Sequence, residues 1–477
     1  MQKQLTITLL LTLLAASSAL AQPRFNYVEP QDELVRSRIE DWQDLKFGLF
    51  IHWGTYSMIP TIESWSICPD KKEWVYNSRP YDVDYFDYVN YYENLYKSFN
   101  PVNFDPDRWA EAARDAGMKY VVFTTKHHDG FCMFDTQQTD YKVTSTDCPF
   151  HKNPRSNIAA EVFEAFRNKG LKAGAYFSIA DWHCDNYWWR HFPPYDRYIN
   201  YDPVKFPERY DGFVDFIDAQ VDELTSSYGD LELMWLDLCE ISETYTIRYP
   251  WERLARTART NQPGLIMVAR GTHGEYENYY TSELKIPPTV LDYPWEACMT
   301  LGRCWDICKD PCYKPTSQVI RMLVTIVARG GNLLLGAGPG PDGEFYDEVY
   351  QRLAEIGDWI DVCGKGIYGS KPAAPYQQGE DIFYTQKDGK LYAFYLYEST
   401  EAQDNSSVSP SSTPQLPSEL VLEGLDLKRG SKLTMLGSRN SLKWASLPGG
   451  SVRILIPEKL RSNPPSRFAV CLEIDRK

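Results

Sequence analysis

Excess positive charge is the first thing this chain lacks. Its 50 Lys and Arg are outnumbered by 65 Asp and Glu, for a formal net charge of −15. That balance argues against nucleic acid or an anionic membrane surface as partner. Past the first residues no apolar run is long enough to cross a bilayer, so membrane insertion is not expected. Histidine is scarce, at seven residues, and neither an HExxH nor an HxH pattern occurs. No short motif therefore favours a metal. No internal repeat is visible.

What is present points to an exported globular protein. Hydrophobic residues make up 43% of the 477, enough for a sizeable core. The length suggests two to three domains, or one barrel with a smaller companion. Aromatics reach 14%, with 14 Trp and 33 Tyr. Large cores use such residues, and so do sites that stack rings on the C–H faces of sugars. Residues 1–21 read as a secretory leader. Lys3 supplies a basic start, Leu5 to Leu14 an apolar run, and Ala19-Leu20-Ala21 a small-x-small cleavage site before Gln22. The run is short for a membrane anchor, and no Cys follows the cleavage site, which argues against a lipoprotein. A secreted or periplasmic location is expected. Eleven cysteines is an odd number, so at least one is free or pairs with another chain. Cys298, Cys304, Cys308 and Cys312 cluster with a spacing foreign to zinc sites, so loop disulfides or buried thiols are expected there.

From about residue 40 to 360, strand-like and helix-like segments alternate. Strands are expected at 46–53, 120–126, 172–179, 231–237, 265–270 and 332–338. Amphipathic helices are expected at 106–117 and 159–170, each ending in a Gly suited to a helix C-cap, and at 208–224 and 316–330. Apolar strands alternating with helices are the signature of a parallel sheet with crossover helices, and the length favours a closed barrel. Not all eight strands can be placed, and 280–315 reads as irregular loop. After a helix at 347–364 the pattern changes to short alternating strands at 390–397, 419–425, 432–437, 451–457 and 467–474, with a Ser/Pro-rich flexible loop at 405–418. The expected organisation is therefore a leader (1–21), a catalytic (β/α)8-like TIM barrel (22–370) and a small C-terminal antiparallel β-sandwich (371–477).

Polar residues gather at the ends of the barrel strands. The first strand ends in His52, the second in Lys126-His127-His128-Asp129-Gly130, the third leads to Asp181-Trp182-His183, the fourth ends in Asp237 and the fifth in Arg270. Four of the seven histidines lie at these ends, and barrel strand ends converge on one mouth. Asp237 is the sharpest of these signals, because a carboxylate closing an apolar strand is poorly explained by packing. Two chemistries suit such a mouth. His52, His127, His128 and Asp237 can bind a divalent metal that activates water. Alternatively, Asp237 can act as a nucleophile beside a second carboxylate, with the histidines addressing sugar hydroxyls. Spacing alone does not decide between them.

A family resemblance does. The segments 46-KFGLFIHWGTYSMIP-60, 120-YVVFTTKHHDGFCMFDT-136, 234-MWLD-237 and 330-GGNLLLGAGPGPDG-343 closely resemble the glycoside hydrolase family 29 α-L-fucosidases, in motif order from about residue 40 to 370. The resemblance implies a (β/α)8-like barrel, a C-terminal β-sandwich, and exo-acting removal of terminal α-L-fucose from glycans with retained configuration. It implies no cofactor and no metal. Asp237 matches the nucleophile of a Trp-x-Asp motif, with Trp235 two residues before it. His52, His127 and His128 match fucose-binding histidines, and Arg270 resembles an Arg that reaches into the site from the fifth strand. Trp65 resembles the Trp of a Glu-Trp sugar-binding pair. Ser64 holds the place of that Glu, with Glu63 a candidate to replace it. Glu283 resembles the Glu of a Thr-Pro-Glu motif that carries the general acid/base role. Glu296 resembles another family Glu and is the alternative for that role, otherwise a substrate-binding carboxylate. The chain departs from the family at Leu238 and Asp306, where Gly is usual, and at Gly336, where Asn is usual. The expected reading is a retaining α-L-fucosidase. A metal-dependent TIM-barrel hydrolase and a catalytically silent carbohydrate-binding protein are the rivals.

Overall fold

The computed structural model describes residues 25–475 except 60, 71, 73–74, 76–78, 80–81, 243, 246, 308–311, 398–415 and 426. The leader at 1–21, Cys308, and all but the last three residues of the 405–418 loop lie outside the described residues.

Short strands that are apolar on both faces need cover on both sides, and the chain supplies it. Eight strands pair in parallel: β1 (Phe47–Ile51), β2 (Tyr120–Lys126), β3 (Lys172–Ser178), β4 (Leu233–Asp237), β5 (Ile266–Ala269), β6 (Tyr280–Glu283), β7 (Trp295–Thr300) and β8 (Asn332–Gly336). Their order is β5-β4-β3-β2-β1-β8-β7-β6, so β1 pairs with β8 and the two edges are β5 and β6. That seam is bridged from a loop, where the Asn278 N–H donates to the Met267 carbonyl (3.0 Å) and the Ala269 N–H to the Tyr276 carbonyl (2.9 Å).

The segment 280–315 is thus not all irregular loop, since it holds β6 and β7. Both were hidden because they break the apolar pattern. Half of β6 is polar (YTSE), and β7 (WEACMT) carries a glutamate whose partners lie on other strands.

Helix α1 (Glu33–Leu45), N-capped by the Asp32 carboxylate, turns Val35, Ile39 and Trp42 into the same core as Tyr120, Tyr176, Trp235 and Tyr279. The rings of Trp42 and Tyr279 stack at 4.0 Å, so α1 plugs one end of the barrel and leaves the other as the mouth. Around the sheet pack α2 (Tyr85–Glu93), α3 (Pro106–Asp115), α4 (Ile158–Asn168), α5 (Pro207–Ser227), α6 (Trp251–Asn261), α7 (Thr316–Ala328) and α8 (Asp347–Cys363). Gly117 and Gly170, which follow α3 and α4, have positive φ of 86° and 79°, as a glycine C-cap requires. Among the described residues no helix is long and apolar enough to cross a membrane.

The rest of the chain is antiparallel. One sheet has the order β13-β16-β11-β10-β9 and the other β12-β15-β14. The first comprises β9 (Lys371–Gln378), β10 (Ile382–Lys387), β11 (Lys390–Leu396), β13 (Leu433–Met435) and β16 (Ala469–Asp475). The second comprises β12 (Glu419–Leu422), β14 (Lys443–Leu447) and β15 (Ser451–Leu455). Leu391, Leu420, Val452, Ile454 and Leu472 belong to their shared core. Strands β9, β10 and β14 were not expected, and β9 carries two prolines that disguise it. The Trp359 indole of α8 donates to the Ala469 carbonyl of β16 (3.2 Å), tying this layer to the barrel helices.

Candidate active site

The strand ends surround a cavity of about 450 Å³. His52, Trp65, His127 and His128 line it, as do Trp235, Asp237, Arg270 and Glu283. Of the nine residues given catalytic or sugar-binding roles by the resemblance, eight are therefore brought together and Glu296 is not; Lys126, Asp129, Asp181, Trp182 and His183 are also absent from the lining.

Asp237 stands at the centre. Its carboxylate accepts hydrogen bonds from the Tyr176 hydroxyl (2.9 Å), Arg270 Nη1 (3.1 Å) and the Leu238 N–H (2.8 Å). His128 Nε2 lies 3.9 Å from Oδ2. Burial pushes the pKa of Asp237 upward. The charge of Arg270, then the Leu238 N–H and the Tyr176 hydroxyl, together outweigh it and hold the carboxyl well below the usual carboxylate range. A permanently ionised, half-sequestered carboxylate is what a nucleophile requires. Leu238, where the resembled family has Gly, adopts φ 47°. A left-handed backbone at a non-glycine residue stores strain of about 1–2 kcal/mol, and the N–H of this residue is the one that Asp237 accepts.

Arg270 connects the two carboxylates. While Nη1 holds Asp237, Nη2 forms a short ion pair with Glu283 at the end of β6. Glu283 is the more open of the two, 38% exposed against 18% for Asp237. One carboxylate therefore sits inside the pocket and one at its rim, on opposite arms of one guanidinium.

The three histidines form one wall and are kept neutral. Burial lowers the pKa of His127 to about 4. Burial first, and then the proximity of His127, hold His52 and His128 well below 6.5. His127 stacks on Tyr176 with centroids 5.7 Å apart, and His52 lies 5.3 Å from the same ring. The loop carrying His127 and His128 turns at Gly130, whose φ is 80° and where a Cβ would meet Asp181 Oδ1 at 2.2 Å. Asp181 is itself fixed by a buried ion pair with Lys126 (3.0 Å). Among the described residues no group of three or more His, Cys, Asp or Glu side chains is arranged to hold a metal ion.

The Glu-Trp question has a structural answer. Ser64 is turned away to His127, with its hydroxyl 2.5 Å from Nδ1. Glu63 lines the cavity instead, 2% exposed, with φ 38°, and accepts the Trp305 N–H at 3.1 Å. Trp65 packs edge-on to His128 at 5.0 Å under the Arg197 guanidinium.

Glu296, the alternative for the acid/base role, is not among the residues that line the cavity. It is fully buried and accepts from Tyr120 (2.6 Å), Trp235 Nε1 (3.1 Å) and Tyr279 (3.3 Å). These partners belong to the barrel core, beneath the cavity. Burial raises its pKa to about 7 against the effect of its three donors. Its place on β7 turns its side chain to the interior rather than to the mouth. Of the clustered cysteines, Cys298 is a buried thiol on the cavity wall.

Among the lining residues that the sequence did not single out, two aromatic side chains stand closest to the named ones. Tyr176 lies within the strand 172–179, where a tyrosine reads as ordinary apolar filling. Only register reveals it, since it pairs with Trp235 just as Ser178 pairs with Asp237. Trp305 stacks on His52 at 5.2 Å. The departure at Gly336 makes room for it, because a Cβ there would meet the Trp305 ring at 2.7 Å.

A family model described as alpha-L-fucosidase matches residues 13–365. The tissue alpha-L-fucosidase of Homo sapiens is 28% identical over 497 residues, covering 98% of this chain and 96% of that one. Among solved structures, alpha-L-fucosidase isoenzyme 1 from Paenibacillus thiaminolyticus superposes with a TM-score of 0.74 at 30% identity, over 93% of this chain and 100% of that chain. A trapped covalent intermediate of an alpha-L-fucosidase from Bacteroides thetaiotaomicron, in complex with 2-fluoro-fucosyl fluoride, superposes with a TM-score of 0.70 at 23% identity, over 94% and 98%.

Proposed function

Because this chain belongs to the α-L-fucosidase family, glycoside hydrolase family 29, we propose that its cavity removes terminal α-L-fucose from glycans by double displacement, with Asp237 as nucleophile and Glu283 as acid/base. The observation that carries this assignment is Arg270 holding both carboxylates, one deep and one at the rim. Asp237 attacks the anomeric carbon while Glu283 gives its proton to the departing glycosidic oxygen. The fucosyl–Asp237 ester is then hydrolysed by a water that gives its proton to Glu283, and L-fucose leaves with retained configuration. In the ester the Asp237 charge is consumed. Glu283 is then the one of the two that still carries charge for Arg270, ionised as a base must be. A trapped covalent intermediate in the Bacteroides thetaiotaomicron relative supports this course. The neutral histidines, Trp65, Trp235 and Glu63 supply hydrogen bonds and ring faces to the sugar.

The leader pattern at Lys3, Leu5–Leu14 and Ala19–Ala21 supports export to the periplasm or medium. The test is turnover of an aryl α-L-fucoside by wild-type protein, with and without EDTA, beside Asp237→Gly. The expected result is EDTA-insensitive activity, a loss of about a thousandfold or more in the variant, and partial rescue of the variant by azide. Activity that chelation abolishes and zinc restores, or an Asp237→Gly variant within tenfold of wild type, overturns the proposal.

A further inference from the structure

Ser178 pairs in register with Asp237 across β3 and β4, is fully buried, and touches two partners. Its Oγ lies 2.7 Å from the Ala180 carbonyl and 2.6 Å from His128 Nδ1. A carbonyl can only accept and a hydroxyl has one hydrogen, so that hydrogen goes to Ala180. What Ser178 offers His128 is a lone pair, and the contact therefore requires a proton on Nδ1. The ring is neutral, since burial and then the proximity of His127 keep it so. Its other nitrogen is then bare. That nitrogen, Nε2, lies 3.9 Å from Asp237 Oδ2. Oδ2 already receives the Tyr176 hydroxyl hydrogen at 2.9 Å. Two acceptors thus face each other at the bottom of the pocket, and only a donor can bridge them.

We propose that Ser178 is a positioning residue that locks His128 in the Nδ1–H tautomer, so that Nε2 takes the hydrogen of the sugar hydroxyl next to the anomeric carbon and keeps it off the nucleophile. This rests on the fucosidase reading for the identity of the sugar. The hydroxyl in question is the one on carbon 2, adjacent to the carbon that Asp237 attacks. A hydroxyl hydrogen given to Asp237 would occupy an electron pair needed for attack; given to Nε2 it leaves the carboxylate free. As positive charge develops at carbon 1, the neighbouring hydroxyl becomes a stronger donor, and its bond to Nε2 tightens in the transition state. No proton is transferred and no bond is made or broken at Ser178 or His128. The consequence for specificity is that the sugar must carry a hydrogen-bond donor at carbon 2.

The test combines histidine ring NMR with kinetics. Protein labelled with 15N-histidine has seven histidines, and the His128 signals are identified by their loss in His128→Phe. In wild type, and in Ser178→Thr, which keeps the hydroxyl, His128 should show a protonated Nδ1 and a bare Nε2. In Ser178→Ala that pattern should be lost or mixed. On 4-nitrophenyl α-L-fucoside, Ser178→Ala should lower kcat about ten- to a hundredfold with KM within about twofold, and Ser178→Thr should recover most of it. Wild type should discriminate against the 2-deoxy analogue about a hundredfold or more, and Ser178→Ala by much less. A protonated Nε2 in wild type, or the same 2-deoxy penalty in wild type and Ser178→Ala, overturns the proposal. If wild type turns over no fucoside at all, the fucosidase reading fails, while the NMR arm still decides the tautomer. Failure of Ser178→Ala to fold leaves the wild-type and Ser178→Thr spectra to decide it.

Discussion

Arg270, just past the end of β5, reaches Glu283, at the end of β6, across the one seam of the barrel where two strands share no hydrogen-bond ladder. The same guanidinium holds Asp237 on β4 at 3.1 Å. A structural gap in the sheet is thus spanned by an ion pair between two cavity-lining residues. Strand β5 lies between β4 and β6, and Arg270, leaving its end, is what links Asp237 to Glu283. Lysine has charge but no fork, so it cannot hold both carboxylates. Arg270→Lys should lower kcat/KM about a hundredfold. It should also raise the pKa of Asp237, because the shorter, unforked lysine holds its charge less closely against the buried carboxylate. The nucleophile is active when ionised, so the acidic limb of kcat/KM moves to higher pH. In wild type that limb should lie near pH 4, where His127 becomes charged. A limb that stays where His127 titrates would mean that Asp237 still ionises below His127 in Arg270→Lys.

Glu283 should reveal itself through the leaving group. An activated aryl group departs without protonation, whereas a sugar does not. Glu283→Ala should slow release of fucose from an oligosaccharide at least about a hundredfold more than from 4-nitrophenyl fucoside, on the 10²–10⁴ range for acid catalysis. Azide should accelerate the aryl reaction and yield a fucosyl azide of retained configuration. Glu296→Gln should affect both substrates alike. If azide rescue appears in the Glu296 variant and not in the Glu283 variant, the assignment is reversed.

Gly130 and Gly170 share a left-handed backbone, with φ 80° and 79°, but differ in surroundings. At Gly170 a Cβ meets nothing within 4 Å, while at Gly130 it meets Asp181 Oδ1 at 2.2 Å. Alanine at 170 should cost only the backbone strain, about 1–2 kcal/mol. Alanine at 130 adds a clash with a side chain tied to buried Lys126, for about 3 kcal/mol or more in all, and should also impair the histidine loop. Thermal unfolding checks this, and an equal loss at both sites would mean the loop yields freely.

Glu296 ties stability to pH. Burial raises its folded-state pKa from 4.5 to about 7, a differential of about 3 kcal/mol. The folded protein keeps this proton where the unfolded chain has lost it. Its contribution is therefore present in full below the unfolded pKa and is lost as pH rises toward 7. Glu296→Gln removes the titration, so its melting temperature should gain on wild type between pH 5 and 8. Asp129, raised by burial to about 7 as well, is common to both proteins and cancels in the comparison. Parallel curves would mean that Glu296 stays in one protonation state throughout.

What the sequence by itself determined is local. Six barrel strands and the amphipathic helices between them are legible because each strand is a short apolar run and each helix a 3.6-residue pattern with a cap. Asp237 is legible because a carboxylate closing such a run has no packing reason to be there, and His52, His127, His128 and Arg270 are legible because parallel strand ends meet at one mouth. What only the tertiary structure decided concerns facing and depth. Strands β6 and β7 interrupt their apolar residues with polar ones, among them Glu296 with partners on β2 and β4, so no local apolar pattern marks them. Tyr176 and Glu296 look like filling and function respectively in one dimension. Their register puts the tyrosine hydroxyl on Asp237 and the glutamate beneath the floor. Glu63 replaces Ser64 at the cavity through a single left-handed residue. The pairing of Arg270 with Glu283 exists because closing the barrel brings its two edge strands together, and no window of contiguous residues contains that closure.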